Sequence, residues 1–271
     1  MGRENELAEH YEYYRSIIRE FTLMSDAFMR NVLKAPECAE HVLRVILGKK
    51  NLKVVSVVIQ QDNKNLQGRS VVLDCVAQDE DAELFDVEVQ QENEGASPKR
   101  ARYHSGLMDM NALDPGTNFD KLVTSYVIFI TRNDVLGKGL PIYHIERKIE
   151  ETGESFQDES HIIYVNSSIQ GATELGQLMH DFHCKCADDM YSKVLADRVR
   201  QLKETPEGVD SMCREMEQIK NWGIEKGRAE QARETAISLA GMGLAVEQIA
   251  QAVKVSVQLV QEWLSEKTAE P

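Results

Sequence analysis

Apolar and polar side chains alternate on both sides of an acidic segment between Arg69 and Gln91, and this pattern predicts two strands joined by a tight turn. The first strand alternates Val71, Leu73 and Cys75 with Val72, Asp74 and Val76, and the second alternates Phe85, Val87 and Val89 with Asp86, Glu88 and Gln90. A carboxylate therefore interrupts each apolar strand. Because an unpaired buried carboxylate is costly, Asp74 requires a cation, a proton or hydrogen-bond donors. A sheet pairing of the two strands can bring Asp74 alongside Glu88.

The remaining sequence predicts further strands and helices around this hairpin. Strand patterns occupy residues 53–60 and three segments between 121 and 165, and helical patterns occupy the first 50 residues, residues 98–113 and most of the chain from Ala172 onward. The helix at 98–113 has clear limits, since Ser97-Pro98 is a strong start and Asp114-Pro115-Gly116 a strong stop. These elements predict an α/β fold with a mixed central sheet flanked by helices.

The composition is that of a globular chain. Of its 271 residues, 42% are hydrophobic and 28% charged, which allows one medium domain and a small appendage. No apolar run approaches the ~20 residues of a membrane span, so no membrane partner is expected. The five cysteines, at positions 38, 75, 184, 186 and 213, form no disulfide framework, and the N-terminus lacks the apolar core of a signal peptide. Both features indicate the reducing cytoplasm.

The net charge of −14 bears on the partners of the chain, because proteins that grip duplex DNA usually carry a basic footprint. A local basic patch can nevertheless coexist with an acidic exterior. The helix at 98–113 contains such a patch, since Lys99, Arg100 and Arg102 occur with no acid between Ala96 and Met108. The charge pattern alone leaves two interpretations open, a phosphate-facing helix and a solvated helix face.

Asp74 and the later triplet Glu88-Val89-Gln90 resemble the core motif of the PD-(D/E)XK nucleases. The surrounding sequence resembles the Rpn branch, the recombination-promoting nucleases and transposases. It includes SDAFMRNVL at 25–33, ARYHSGLMDMNAL at 101–113 and YVIFITRNDVLGKGLPIYHIERK at 126–148. The resemblance covers roughly residues 20 to 170, and this ordered series is more specific than the short motif, which arises often by chance.

The resemblance implies a metal site and names its residues. Asp74, Glu88 and the backbone carbonyl of Val89 would hold one or two Mg²⁺ ions, with Mn²⁺ as a substitute. The third motif position is usually Lys in the superfamily, and Gln90 can position water there without supplying charge. Many members place an extra acid on the first core helix near the metal, and Asp26 occupies the matching place. The residues alone support a different interpretation, in which Asp26 is a helix cap or a first-turn acid.

The resemblance also implies a function, a metal-dependent DNA endonuclease associated with recombination or transposition. DNA would be the partner, no nucleotide cofactor is expected, and the chain would act as a homodimer. The residues expected to bind DNA lie on the basic helix and are Lys99, Arg100, Arg102, Tyr103 and His104. The alternative is a catalytically inactive nuclease fold that serves as a DNA-binding or protein-interaction module, motivated by Gln90 and the acidic charge.

Three regions are expected along the chain: a nuclease-like domain at 1–190, a charged helical connector at 191–233 and a small module resembling a helix-turn-helix at 234–271. In this module, Lys254 stands where such turns commonly have Gly, and Ser256 caps the last helix. The expected recognition helix, SVQLVQEWL, has no Arg or Lys. DNA binding and protein interaction therefore both stay open for the tail.

The segment HDFHCKC at 180–186 contains two His and two Cys, which are residue types that bind zinc. These donors lie on one predicted helix and cannot all converge on a metal. No second cluster with ligand spacing follows in the sequence. A zinc site is therefore not expected here.

Overall fold

A computed structural model describes residues 12–63 and 71–269 of the chain. The chain divides into two compact units, Met1–Val209 and Asp210–Pro271. The first unit thus extends past the expected end of the nuclease-like domain at residue 190, because helix Lys193–Glu204 packs with the preceding elements. The three-region division as independently folding parts stays a prediction.

The helices are α1 (12–20), α2 (Asp26–Leu33), α3 (Pro36–Leu47), α4 (Pro98–Ala112), α5 (Glu174–His183), α6 (Lys193–Glu204), α7 (Pro206–Gly241), α8 (Val246–Val253) and α9 (Val257–Ala269). The strands are β1 (Val54–Asn63), β2 (Val71–Asp79), β3 (Leu84–Gln90), β4 (Ser125–Thr131), β5 (Ile142–Ile145) and β6 (Ser160–Asn166). None of the helices in these described ranges is long and apolar enough to span a lipid bilayer.

The six strands form one mixed sheet in the order β1-β2-β3-β4-β6-β5. The first three strands are antiparallel neighbours, β3, β4 and β6 run parallel, and β5 returns antiparallel to β6. Helix α4 packs on β2, β4 and β6, whereas α2 and α3 contact strands β1 to β3. The predicted α/β class, with a mixed central sheet flanked by helices, is confirmed.

The predicted hairpin corresponds to β2 and β3 joined by an acidic turn. Backbone pairing runs from Gln78 opposite Leu84 to Cys75 opposite Val87. Asp79 holds the turn, since its Oδ1 accepts hydrogen bonds from the backbone N–H groups of Asp81 and Glu83 at 3.0 and 2.9 Å. This side chain thus acts as a local backbone acceptor and is not available for chemistry.

Helix α4 begins and ends where its sequence signals predict. Pro98 occupies the first turn, and Ser97 Oγ accepts a hydrogen bond from the Arg100 backbone N–H at 3.3 Å. Its buried residues Ala101 and Met108 join a core of sheet side chains that includes Val127 and Phe129. This core fixes α4 on the sheet. The other side chains of α4 that point toward the sheet therefore have fixed positions.

The second unit contains a compact cluster of Ala236, Ile249, Ala250 and Val260, contributed by α7, α8 and α9. Lys254 ends α8 with φ of +57°, the left-handed conformation that favours glycine and explains why such turns commonly use it. Ser256 Oγ accepts a hydrogen bond from the Leu259 backbone N–H at 3.2 Å, as expected for the cap of α9. The C-terminal region is therefore all-helical, as predicted.

Asp181 ties α5 to α6 within the first unit. Its two carboxylate oxygens accept hydrogen bonds from the backbone N–H groups of Tyr191 and Ser192, both at 2.8 Å. The residue is buried, and Ser192 is the N-cap of α6. The Asp181 carboxylate therefore accepts hydrogen bonds from two consecutive backbone N–H groups at the start of α6.

We expect Asp181→Ala to destabilise the first unit by about 2–3 kcal/mol, because two hydrogen bonds to a charged acceptor are lost. For a unit of this size, that loss lowers the thermal midpoint by roughly 4–12 °C. Thermal unfolding followed by circular dichroism measures it. The matched control is Asp189→Ala, since Asp189 is exposed. Equal midpoints for the two variants would contradict the structural role of Asp181.

Candidate active site

Strand β3 directs two acidic side chains toward α4. Asp86 and Glu88 are two residues apart, so they leave the same side of the strand, and both are 0% exposed. Their carboxylates approach one imidazole: His104 Nδ1 lies 3.0 Å from Asp86 Oδ2 and 3.8 Å from Glu88 Oε1. The face of β3 under α4 is therefore acidic in its centre.

Glu88 also binds the neighbouring strand through the backbone of Asp74. The regular pairing of β2 with β3 ends at Cys75 opposite Val87, and the Asp74 N–H then donates to Glu88 Oε1 at 3.0 Å. A side chain thus accepts the hydrogen bond beyond the last backbone pair. The hairpin brings Asp74 beside Glu88, which is the arrangement the strand pattern predicts.

These carboxyl groups bind protons more tightly than free ones do. Burial, and next the charge of Glu88, raise the pKa of Asp74 to about 8, with a further contribution from Asp26. Burial, and next the charge of Asp86, raise the pKa of Glu88 to about 7. Burial also raises the pKa of Asp86 well above its ordinary value. Near neutral pH the cluster cannot carry its full negative charge without nearby positive charge.

Two side chains donate to the outer oxygen of Glu88. Arg100 Nη2 lies 3.2 Å and Gln90 Nε2 3.3 Å from Glu88 Oε2. Arg100 Nε donates in addition to His104 Nε2 at 3.2 Å. Glu88 is therefore the centre on which Asp74, Gln90 and Arg100 converge, three of the residues named from the sequence.

The hydrogen bonds of His104 define its protonation. Arginine carries only donors, so His104 Nε2 accepts from Arg100, and the ring proton resides on Nδ1 and is donated to Asp86. The imidazole is then neutral, and burial lowers its pKa accordingly. Phe129 lies against the ring at 5.8 Å between centroids, which limits its rotation.

The donor set fits a divalent metal ion. Asp86 Oδ1 is fully buried and has no hydrogen-bond partner, and ligand atoms of Asp86, Glu88 and His104 lie within 4.8 Å of one another. Both nitrogens of His104 already have partners, so carboxylate oxygens are the better candidates. Oxygen ligands suit hard cations such as Mg²⁺. The predicted backbone ligand, Val89, lies in β3 opposite Ile130 of β4.

Asp26 lies in the first turn of α2 with its side chain half exposed. Its Oδ2 pairs with Arg30 Nη2 at 3.3 Å, and its charge helps to raise the pKa of Asp74. Ser25 makes no side-chain capping hydrogen bond to this helix. Asp26 is thus a first-turn acid whose charge reaches Asp74, and its place near a metal ion stays a prediction.

The basic helix presents two different groups of side chains. Lys99, Arg102 and Tyr103 are exposed, which suits contact with a polyanion. Arg100 is 39% exposed and directed at Glu88, whereas His104 has no exposed surface. The burial of His104 argues against the DNA contact expected for it, because its ring faces carboxylates and not solvent.

In the HDFHCKC segment, two of the four His and Cys donors, His180 and Cys184, come together with Asp181. His180, Asp181 and Cys184 offer ligand atoms within 4.8 Å of one another, and Cys184 Sγ lies 3.4 Å from His180 Nδ1. The helix ends at His183, so Cys184 can turn back toward it. Both oxygens of Asp181 already accept backbone hydrogen bonds, and His183 Nε2 lies 2.9 Å from Ser167 Oγ. Asp181 and His183 therefore already make contacts that stabilise the fold.

Asp86 is a residue of this site that the sequence did not predict, and His104 is buried against carboxylates where a DNA contact was predicted. A signal for Asp86 existed, because it shares the alternation of Glu88 and Gln90 along β3. The four-residue spacing of Arg100 and His104 likewise placed them on one helix face. Which strand lies under that face depends on the tertiary fold, and local pattern carries no such information.

The family comparison covers the part of the chain that builds this site. Residues 41–173 match the family described as PD-(D/E)XK nuclease family transposase. This segment belongs to that family. The nuclease-family segment contains all six strands and α4, and hence Asp74, Glu88 and Gln90, whereas Asp26 and helices α7 to α9 lie outside it. No curated protein and no solved structure matches the chain.

We expect the metal-free chain to lose stability as pH rises from about 4 to about 8. Because the pKa values of Asp74 and Glu88 are raised, the folded chain keeps protons that the unfolded chain has released in this range. A divalent cation replaces those protons, so Mg²⁺ or Mn²⁺ should raise the thermal midpoint more at about pH 8 than at about pH 5. Thermal scans with and without metal at both pH values measure this.

Asp74→Asn is the matched variant, because an amide does not titrate in this range. It should show a weaker pH dependence and a smaller metal-induced rise than the parent chain. Glu80→Gln, an exposed charge in the same hairpin, should behave like the parent. A metal-induced rise of the same size in Asp74→Asn would contradict a metal site on these carboxylates.

Proposed function

We propose that the chain is a metal-dependent DNA endonuclease that hydrolyses phosphodiester bonds. The observation that carries this proposal is the hydrogen bond between the Asp74 backbone and Glu88, which brings two carboxyl groups with raised pKa values together. This pair lies in a segment that belongs to a nuclease family. Gln90 and Arg100 complete the site from β3 and α4.

Asp74, Glu88 and the carbonyl of Val89 would hold one or two Mg²⁺ ions, with Mn²⁺ as a substitute and Asp26 nearby. A bound Mg²⁺ supplies Lewis-acid activation of water and stabilises charge on the phosphate. The hydrogen bond from Gln90 Nε2 to Glu88 orients the Gln90 amide. The amide oxygen then remains as an acceptor for a proton of water. Because Gln90 is uncharged, it positions groups without stabilising negative charge.

Gly95 gives the Gln90 side chain the space that it occupies. A Cβ at this position would lie 2.0 Å from Gln90 Oε1, so any larger residue would displace the amide. The short helical turn at Asn93–Ala96 follows β3 directly and carries this glycine. The glycine thus supports the position of an uncharged residue at the third motif place.

The cations of α4 divide between two tasks in this proposal. Arg100 faces the acidic centre and would stabilise charge on the reacting phosphate. Lys99, Arg102 and Tyr103 are exposed on the same helix and would contact the flanking DNA backbone. A local patch of this kind can attract phosphate even though the net charge of the chain is −14.

The second candidate is a catalytically inactive nuclease fold that binds DNA or protein. It is favoured by one observation: protein donors from Asp74, Gln90 and Arg100 already satisfy both oxygens of Glu88. The helical tail would then supply the binding surface, although its last helix has no cation in SVQLVQEWL. The two candidates differ in whether a divalent metal ion leads to cleavage of DNA.

A role in recombination or transposition, a cytoplasmic location and a homodimeric state complete the proposal. Nucleases that cut both strands often act in pairs, and a symmetric dimer would supply one site for each strand. Light scattering at working concentration tests the dimer, and a monomeric mass would contradict it.

We expect the purified chain to cleave plasmid DNA in Mg²⁺ or Mn²⁺ and not in EDTA. Asp74→Asn and Glu88→Gln should each reduce cleavage to background, because each removes a charged oxygen ligand. Glu80→Gln should cleave at the parental rate. Cleavage at the parental rate by both active-site variants would rule out this site. DNA binding without cleavage in any metal would support the inactive-fold candidate.

We expect Lys99→Ala with Arg102→Ala to weaken DNA binding and leave the metal-induced thermal shift unchanged. If each cation contacts a phosphate, the slope of log K against log salt should fall by roughly 0.9 per contact. Fluorescence anisotropy in Ca²⁺ at several salt concentrations measures the slope. The charge-matched control is Lys121→Ala with Lys138→Ala, two exposed cations outside α4. An equal loss in this control would indicate a general charge effect.

A further inference from the structure

We propose that buried Asp86 and His104 are positioning residues that fix the Arg100 guanidinium against Glu88 before DNA binds. The inference rests on the proposed function, since the positioned arginine is the cation that would meet the reacting phosphate. It assigns a role to a buried carboxylate and a buried imidazole beside Glu88, one of the proposed metal-binding carboxylates.

The contacts form one directed chain. Asp86 Oδ2 accepts from His104 Nδ1 at 3.0 Å, His104 Nε2 accepts from Arg100 Nε at 3.2 Å, and Arg100 Nη2 donates to Glu88 Oε2 at 3.2 Å. Because arginine has no acceptor, each proton in this chain has a defined place. The carboxylate of Asp86 therefore selects the imidazole tautomer that can receive Arg100.

Secondary structure makes the chain rigid. Arg100 and His104 are four residues apart on α4, and Asp86 and Glu88 are two residues apart on β3. Two side-chain pairs, His104 with Asp86 and Arg100 with Glu88, therefore join the helix to the strand. Asp86 and His104 are both fully buried, and Phe129 lies against the imidazole. A group held in this way keeps its rotamer.

A fixed arginine has a chemical advantage over a mobile one. The free side chain carries rotamer entropy, which is lost when it is ordered on a phosphate. The bond to His104 uses Nε and holds the plane of the guanidinium, while Nη2 donates to Glu88. Preorganised cations of this kind stabilise developing charge without reorganisation.

The competing explanation is that Asp86 and His104 only stabilise the fold as a buried hydrogen-bonded pair. Two conservative variants separate the explanations. His104→Asn keeps a donor near Nδ1 for Asp86 and removes the acceptor for Arg100. His104→Gln keeps an acceptor near Nε2 for Arg100 and removes the donor to Asp86.

The deciding experiment is nuclear magnetic resonance of the full metal-free chain at neutral pH, with ¹⁵N-labelled arginine and histidine. In the parent, we expect the Nδ1–H tautomer of His104 and a slowly exchanging Arg100 Nε–H, whose signal is assigned by its loss in Arg100→Lys. Exchange with water should accelerate at least about tenfold in His104→Asn and much less in His104→Gln. A His104 proton on Nε2, or exchange unchanged in His104→Asn, would overturn the inference.

A double-mutant cycle gives the functional readout. If His104 acts through Arg100, kcat for DNA cleavage by Arg100→Lys/His104→Asn should equal that of Arg100→Lys alone. Multiplicative losses would show that His104 acts independently and would overturn the inference. A parent chain that never cleaves DNA contradicts the proposed function instead, and the resonance experiment still decides the positioning of Arg100.

Discussion

Three carboxyl groups occupy one water-poor volume between β2, β3 and α4, and the burial of their charge is the constraint on which the site depends. Glu88 and Asp86 are fully buried, and Asp74 adjoins them. Unpaired, such groups would cost more free energy than a typical domain has in reserve. The backbone N–H of Asp74 and the cation of Arg100 offset part of that cost, and a proton or a metal ion must offset the rest.

The same burial makes the electrostatics effective. Asp86, Glu88 and His104 are buried and Phe129 packs against the imidazole, so the charges of this cluster interact more strongly than they would in water. The site also stands on strands and a helix, and the resulting side-chain positions are less mobile than those on loops. The burial that strengthens these interactions therefore also costs stability, as long as the carboxyl groups are charged and no cation offsets their charge.

Local pattern predicted the parts of this site that lie close in sequence. The alternation through Asp74 and Glu88 predicted the hairpin, and Ser97-Pro98 predicted where α4 begins, because both features depend on neighbouring residues alone. The strand order β4-β6-β5 and the docking of α4 over Asp86 could not be predicted from the local sequence pattern. They depend on which apolar faces meet in the folded core, and many partners satisfy the same periodicity.

The acidic surface acquires a meaning once the cations of α4 are placed. The net charge of the chain is −14, so the approach of a polyanion depends on where positive charge is concentrated. Lys99 and Arg102 stand exposed on the helix whose next inward residue, Arg100, contacts Glu88. If α4 binds DNA as proposed, phosphate attracted to the outer patch would lie near the inner cation. Repulsion by the net negative charge of the chain would then limit indiscriminate binding.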